Sequence, residues 1–122
     1  MITHVRTVTV PVTDQDRAVE FYVGKLGFEK HRDEPAMGDQ RWIEVSPPGA
    51  DTRLVLFTPP GLEDRIGVFQ SIVFAVDDIA KTHAQLRDAG VEISQELGEQ
   101  PWGLWFQFND PDGNEFGVLE RD

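Results

Sequence analysis

Apolar and polar positions alternate from His4 to Val12, with Val8, Val10 and Val12 pointing one way and Thr7 and Thr9 the other. Period-two alternation predicts a strand with one apolar and one mildly polar face. Thr13 then reads as a helix N-cap with Asp16 behind it, and the helix runs from about Asp14 to Lys25. Ala18, Phe21, Tyr22 and Lys25/Leu26 mark its inner stripe, and Gly27 stops it. Phe28 to Arg32 predicts a short strand, Asp33 to Asp39 a loop broken by Pro and Gly, and Arg41 to Val45 a strand. Ser46-Pro-Pro-Gly49 turns the chain into an apolar strand from Arg53 to Thr58. Pro59 to Gly67 is too rich in Pro and Gly for a regular element and reads as a linker.

The second half repeats the first. Gln70 to Val76 predicts a strand, and Asp77 or Asp78 caps a helix that runs to about Ala89 with Ile79, His83 and Leu86 on one stripe. Gly90 ends it; Val91 to Ser94 reads as a strand and Glu96 to Pro101 as a loop. Phe106 to Glu120 then forms the best-defined local motif, two strands around Asp110-Pro-Asp-Gly113. Pro111 pre-sets one turn dihedral, Asp110 accepts backbone N–H bonds and Gly113 takes positive φ without strain. Val12-Thr-Asp14 matches Val76-Asp-Asp78, and Val45 to Gly49 matches Asn109 to Gly113, both 64 residues apart. Each half is strand–helix–strand–strand–strand, giving module 1 over 1–58, a linker over 59–69 and module 2 over 70–122. A repeat of this length is a supersecondary unit whose apolar face needs a partner. Two such sheets, each backed by a helix, can curl toward each other around a cleft, where ligand sites tend to lie.

Length and charge narrow the class. A chain of 122 residues suits one domain, and the absence of cysteine removes disulfides and thiolate metal sites. No signal-like or membrane-spanning apolar run is present, so a cytoplasmic protein is expected. The formal net charge of -11 disfavours nucleic acid and anionic membranes as partners and leaves room for a cationic ligand.

The doubled module, the segment Asp14 to Tyr22 with Leu26-Gly-Phe28 after it, and the terminal Asp-Pro-Asp-Gly-Asn hairpin together resemble the vicinal oxygen chelate superfamily. That family includes glyoxalase I, extradiol dioxygenases, fosfomycin-resistance proteins and bleomycin-resistance binding proteins. The resemblance implies an α+β fold in which two βαββ modules form a cupped mixed sheet. It also implies a homodimer, with modules of one chain or of two closing the cleft. In metal-dependent members, ligands stand on the first and last strand of each module. Here the resemblance puts those positions at Thr7, Ser71, near Leu56 with a slip of one, and Gly117. None is His or carboxylate, so no usual divalent metal site, and no cofactor, is expected.

Other chemistry is sparse. His4, His31 and His83 are the only histidines, and Glu44, Glu115 and Glu120 lie on or beside strands without a spacing that forces any pair together. No phosphate loop or nucleophile elbow is present. The segment Gln100 to Gln107 alternates. If Phe106 and Phe108 pack toward the helix, Trp105 and Gln107 face the cleft, while Trp102 sits at a rim and Trp42 reads as a helix-side core residue. A Trp beside an amide suits a flat aromatic or cationic ligand. The leading expectation is a metal-free small-molecule-binding protein that sequesters or senses an organic ligand through Thr7, Thr9, Leu56, Ser71, Trp105 and Gln107. The alternative is a lyase, isomerase or dioxygenase of the superfamily with an atypical or absent metal centre, which would need His4, Glu44 or Glu120 in the cleft. A subunit that binds only another protein is a third reading.

Overall fold

The computed structural model describes residues 1–122, which fall into two compact units, Met1–Ile66 and Gly67–Asp122. The first unit runs β1 (Thr7–Val10), α1 (Gln15–Val19), β2 (Glu29–Met37), β3 (Gln40–Ser46) and β4 (Arg53–Leu56). The second runs β5 (Phe69–Val76), α2 (Ile79–Asp88), β6 (Glu92–Gln100), β7 (Gly103–Asn109) and β8 (Glu115–Glu120). Each unit carries one four-stranded mixed sheet, in the orders β1-β4-β3-β2 and β5-β8-β7-β6. The first and last strand of each unit pair in parallel; the remaining pairs are antiparallel. The architecture is α+β, and no helix is long and apolar enough to cross a membrane.

One sheet face in each unit is covered by the unit's helix. In the first, Arg41 shares its side of β3 with Ile43 and Val45 and reaches Asp16 on α1 at 2.8 Å. Val10, Ile43, Val45, Leu54 and Leu56 are buried on that side, beneath Ala18, Phe21 and Tyr22. In the second, Phe106 meets His83 of α2 edge-on at 5.1 Å, and Phe108 and Phe116 pack with Phe74. His83 therefore belongs to the helix-side packing. Beyond α1 the helix widens into a π-helical turn over Glu20–Lys25, with the adjacent aromatics Phe21 and Tyr22 both out of water.

Three expectations need correction. The first helix is capped by Asp14, not Thr13: its Oδ1 accepts from the Arg17 N–H at 3.0 Å, as Asp78 does from Lys81 in the second unit. Asp33 to Asp39 is not a loop, because β2 extends through Asp33 to Met37 and turns only at Gly38. Glu96 to Pro101 is likewise mostly strand, since β6 runs to Gln100. Both segments are sheet edges. An edge strand buries little, so no apolar alternation marks it, and β2 is exposed along its whole length. An edge also tolerates Pro35, which sits at a break in register.

The terminal hairpin forms as expected and does more than turn. Asp110 Oδ1 accepts from the N–H groups of Asp112 and Asn114, and Gly113 takes φ 80. Asn114 is fully buried; its Oδ1 accepts from Gly67 N–H and Gln70 Nε2, which ties the turn to the start of β5.

Candidate functional site

The face of each sheet that no helix covers carries the unusual chemistry. On the first sheet the register aligns Thr9, Val55, Glu44 and Arg32 in one row, and Thr7 with Arg53 in the next. Glu44 is only 1 % exposed. Its Oε2 accepts from Trp42 Nε1 at 2.7 Å and its Oε1 from Arg53 Nη1 at 3.0 Å. Burial pushes its carboxyl up, but the Trp42 and Arg53 hydrogen bonds and the charges of Arg32 and Arg53 hold it below the usual carboxylate range. Trp42 therefore lies on the uncovered face and not on the helix side as expected, where it packs against Phe57 at 5.6 Å. His31 Nε2 lies 2.8 Å from Ser46 Oγ. His4 precedes β1, exposed, with Thr3 as its hydrogen-bond partner.

The second sheet repeats this device without the charge. Trp105 and Gln107 share the uncovered side of β7, and Trp105 Nε1 donates to Gln107 Oε1 at 3.2 Å. Gln107 lies opposite Gly117, and the outer edge of the Trp105 indole fills the space a Cβ on residue 117 would need. Any side chain at 117 would have to displace the ring. Trp105 is consequently only 7 % exposed, while Trp102, perpendicular to it at 5.6 Å, is 58 % exposed. Asn109 Oδ1, on the same side of β7 by alternation, is buried without a hydrogen-bond partner. Ser71 is exposed on β5, at φ 61, where the register breaks between Phe69 and Val73.

Of the residues singled out from sequence, Thr7 and Thr9 share the first uncovered face, and Trp105 and Gln107 the second. Leu56 does not join Thr7 and Thr9: it is fully buried on the helix side with Val10 and Ile43, and Val55 holds the place opposite Thr9. The slip of one residue therefore applies. Glu120 accepts from the N–H of Ile79 at the start of α2. Arg53 was missed, and Glu44 was weighed as half of a carboxylate pair or as the cleft carboxylate of an enzyme, not as the partner of Trp42 and Arg53. The missed signal is a second alignment, Trp42-Ile-Glu44 with Trp105-Phe-Gln107, offset by 63 residues and hidden by the 64-residue repeat.

The positions where metal ligands were expected offer Thr7, Ser71, Val55 and Gly117, and nowhere do three His, Asp or Glu side chains come together in a way that could hold an ion. This donor set does not fit a divalent metal. A groove of about 500 Å³ lies elsewhere in the first unit, lined in part by Gln15, Asp39, Gln40 and Thr58. Gln15 is already bonded to Arg41 and Leu56 backbone, and Gln40 to Thr58 backbone, so these side chains brace the unit rather than await a ligand.

The family model of the Glyoxalase/Bleomycin resistance protein/Dioxygenase superfamily matches residues 2–118. The chain belongs to this superfamily. Within the glyoxalase/bleomycin resistance superfamily, a solved member from Sphaerobacter thermophilus DSM 20745 is 36% identical, covers 98% of both chains and superposes with a TM-score of 0.88. TnmS3, an antibiotic binding protein from Streptomyces sp. CB03234, is 36% identical over 99% of this chain and 98% of its own, with a TM-score of 0.84. The uncharacterized protein YetH of Bacillus subtilis (strain 168) is 39% identical over 120 residues, 98% of this chain and 100% of its own length. These likenesses are compatible with small-molecule binding.

Proposed function

We propose that this chain is a small-molecule-binding protein that sequesters or senses an organic ligand on the uncovered faces of its sheets, without a divalent metal held by side chains. The observation that carries this reading is the paired device itself. In each unit a Trp on an inner strand donates its indole N–H to an acceptor two residues on, on the face no helix covers. On the first of these faces stand the Thr7 and Thr9 hydroxyls, and on the second the unpartnered Asn109 oxygen, while Ser71 lies exposed on β5. Aromatic walls with a few fixed polar groups suit an organic ligand. The antibiotic binding of TnmS3, a relative over nearly its whole length, supports the same class of function. An enzymatic reading gains nothing from Glu44, since both its oxygens are engaged and its proton affinity is lowered, which makes a poor general base.

The test combines metal analysis of untagged protein with a thermal-shift screen of aromatic, charged and thiol-containing metabolites. A hit raises Tm in proportion to the logarithm of ligand excess. Stoichiometric zinc, nickel, manganese or iron bound through side chains would sink the proposal. We place this function in a homodimer, with Val73 and Leu104 on the second unit as exposed apolar surface; a monomer by sedimentation at micromolar concentration removes that part.

A further inference from the structure

We infer that the uncovered face of the first sheet receives an anionic oxygen group of the ligand, a carboxylate or phenolate, on Arg53 with Thr7 and Thr9 beside it. This rests on the small-molecule reading above and names the ligand chemistry. It runs against the chain's formal net charge of -11, which by itself points to a cation.

Arg53 is the deciding residue. It pairs with Thr7 across the parallel register, but its Nη1 reaches Glu44 in the neighbouring row at 3.0 Å. The side chain therefore leans diagonally from β4 toward β3, alongside the fully buried Val55, while Thr7 and Thr9 stand on β1 at the other side of β4. Only Nη1 is used; Nε and Nη2 have no partner in the protein, and the guanidinium side chain is 36% exposed. Guanidinium presents its donors in a rigid fork suited to carboxylate and other anionic oxygens. The half-buried Thr7 and Thr9 hydroxyls also lack protein partners, and each can donate. Two guanidinium nitrogens and two hydroxyls on adjacent strands of this face are thus without a protein partner and open to a ligand.

Glu44 is a positioning residue. Locked by Trp42 on one oxygen, it holds one end of the guanidinium and leaves the other end free. Arg53 and Glu44 offset each other on this face, and Arg32, Glu29 and Glu34 all stand exposed on the edge strand β2, where water and salt screen them.

The experiment uses three probes with one ring system and three charges: 2-naphthoate, 2-naphthamide and 2-naphthylmethylamine. Binding is followed by the Trp42 indole N–H resonance and by Tm. The expected result is 2-naphthoate at least tenfold tighter than 2-naphthamide, with the amine weakest, and a shift of the Trp42 resonance. Arg53→Gln should bring the naphthoate down to the amide's affinity. Because that variant strands Glu44, the Glu44→Gln/Arg53→Gln double variant, which buries no charge, should give the same result. If the amide binds as tightly as the naphthoate, or the preference survives in both variants, the anion assignment is overturned while ligand binding stands. If no probe and no metabolite in the screen binds, the binding reading falls and takes this inference with it.

Discussion

The two units use one plan for opposite ends. Register places Glu44 opposite Val55 in the first sheet and Gln107 opposite Gly117 in the second. Each acceptor receives an indole N–H from the Trp two residues before it. Glu and Gln have nearly the same shape, so the difference is charge, and the charge follows from Arg53. A buried carboxylate needs an opposite charge as well as hydrogen bonds; an amide needs only hydrogen bonds. The second difference is steric. Val55 fills its own site, so Trp42 packs aside against Phe57, whereas Gly117 leaves room for the edge of Trp105. A duplicated scaffold has thus become polar and charged on one face, neutral and aromatic on the other.

Transplanting features between the units tests this contrast. The largest effect is expected from Gly117→Val, which gives the second sheet the residue of the first. Its Cβ overlaps the Trp105 ring, and we expect a loss of about 3 kcal/mol in denaturant unfolding, at the upper end for overpacking. Trp105→Ala in that background should recover part of it; additivity of the two changes would refute the interlock. Next is Arg53→Met, which leaves Glu44 buried with Trp42 alone. Because Arg53 is partly exposed, we expect about 2 kcal/mol, less than for breaking a fully buried pair. A change within error by urea titration would show that water already screens the pair.

Glu44→Gln converts the first device toward the second, and we expect a loss of about 1 kcal/mol at neutral pH. The sign of its pH dependence is set by the lowered pKa of Glu44. The carboxylate contributes stability above its unfolded pKa of about 4.3, and that contribution is lost as pH falls through the folded value. The gap between wild type and variant should close in acid, as read by Tm from pH 7 to pH 3; a gap that widens would reverse the assignment. The smallest effect is expected from the mirror change, Gln107→Glu. No guanidinium partners this position, so burial should raise the new carboxyl's pKa. A loss of under about 1 kcal/mol at pH 7 should vanish as the group protonates. An equal loss at pH 4 would mean that shape, not charge, separates the two units.

Residues with strong local logic were legible from sequence. The Asp110–Gly113 turn, the repeat and the alternation of β7 follow from turn chemistry and period-two patterning, and all three stand in the structure. Only the first halves of the edge strands, Phe28 to Arg32 and Val91 to Ser94, were legible; their extensions to Met37 and Gln100 bury little and leave no clear apolar trace. Trp42 was misplaced for a related reason. Its strand lies one residue off the 64-residue repeat, and a one-residue slip exchanges the faces of a strand.

The chain by itself determined the doubled strand–helix–strand–strand–strand plan, since period-two patterning, turn residues and the 64-residue spacing carry it. Only the folded sheets decided that Trp42 and Glu44 face away from the helix, that Arg53 meets Glu44 from nine residues away, and that Gly117 is room for an indole. Those facts depend on the register between neighbouring strands. No local pattern encodes which residues stand opposite each other until the sheet pairs them.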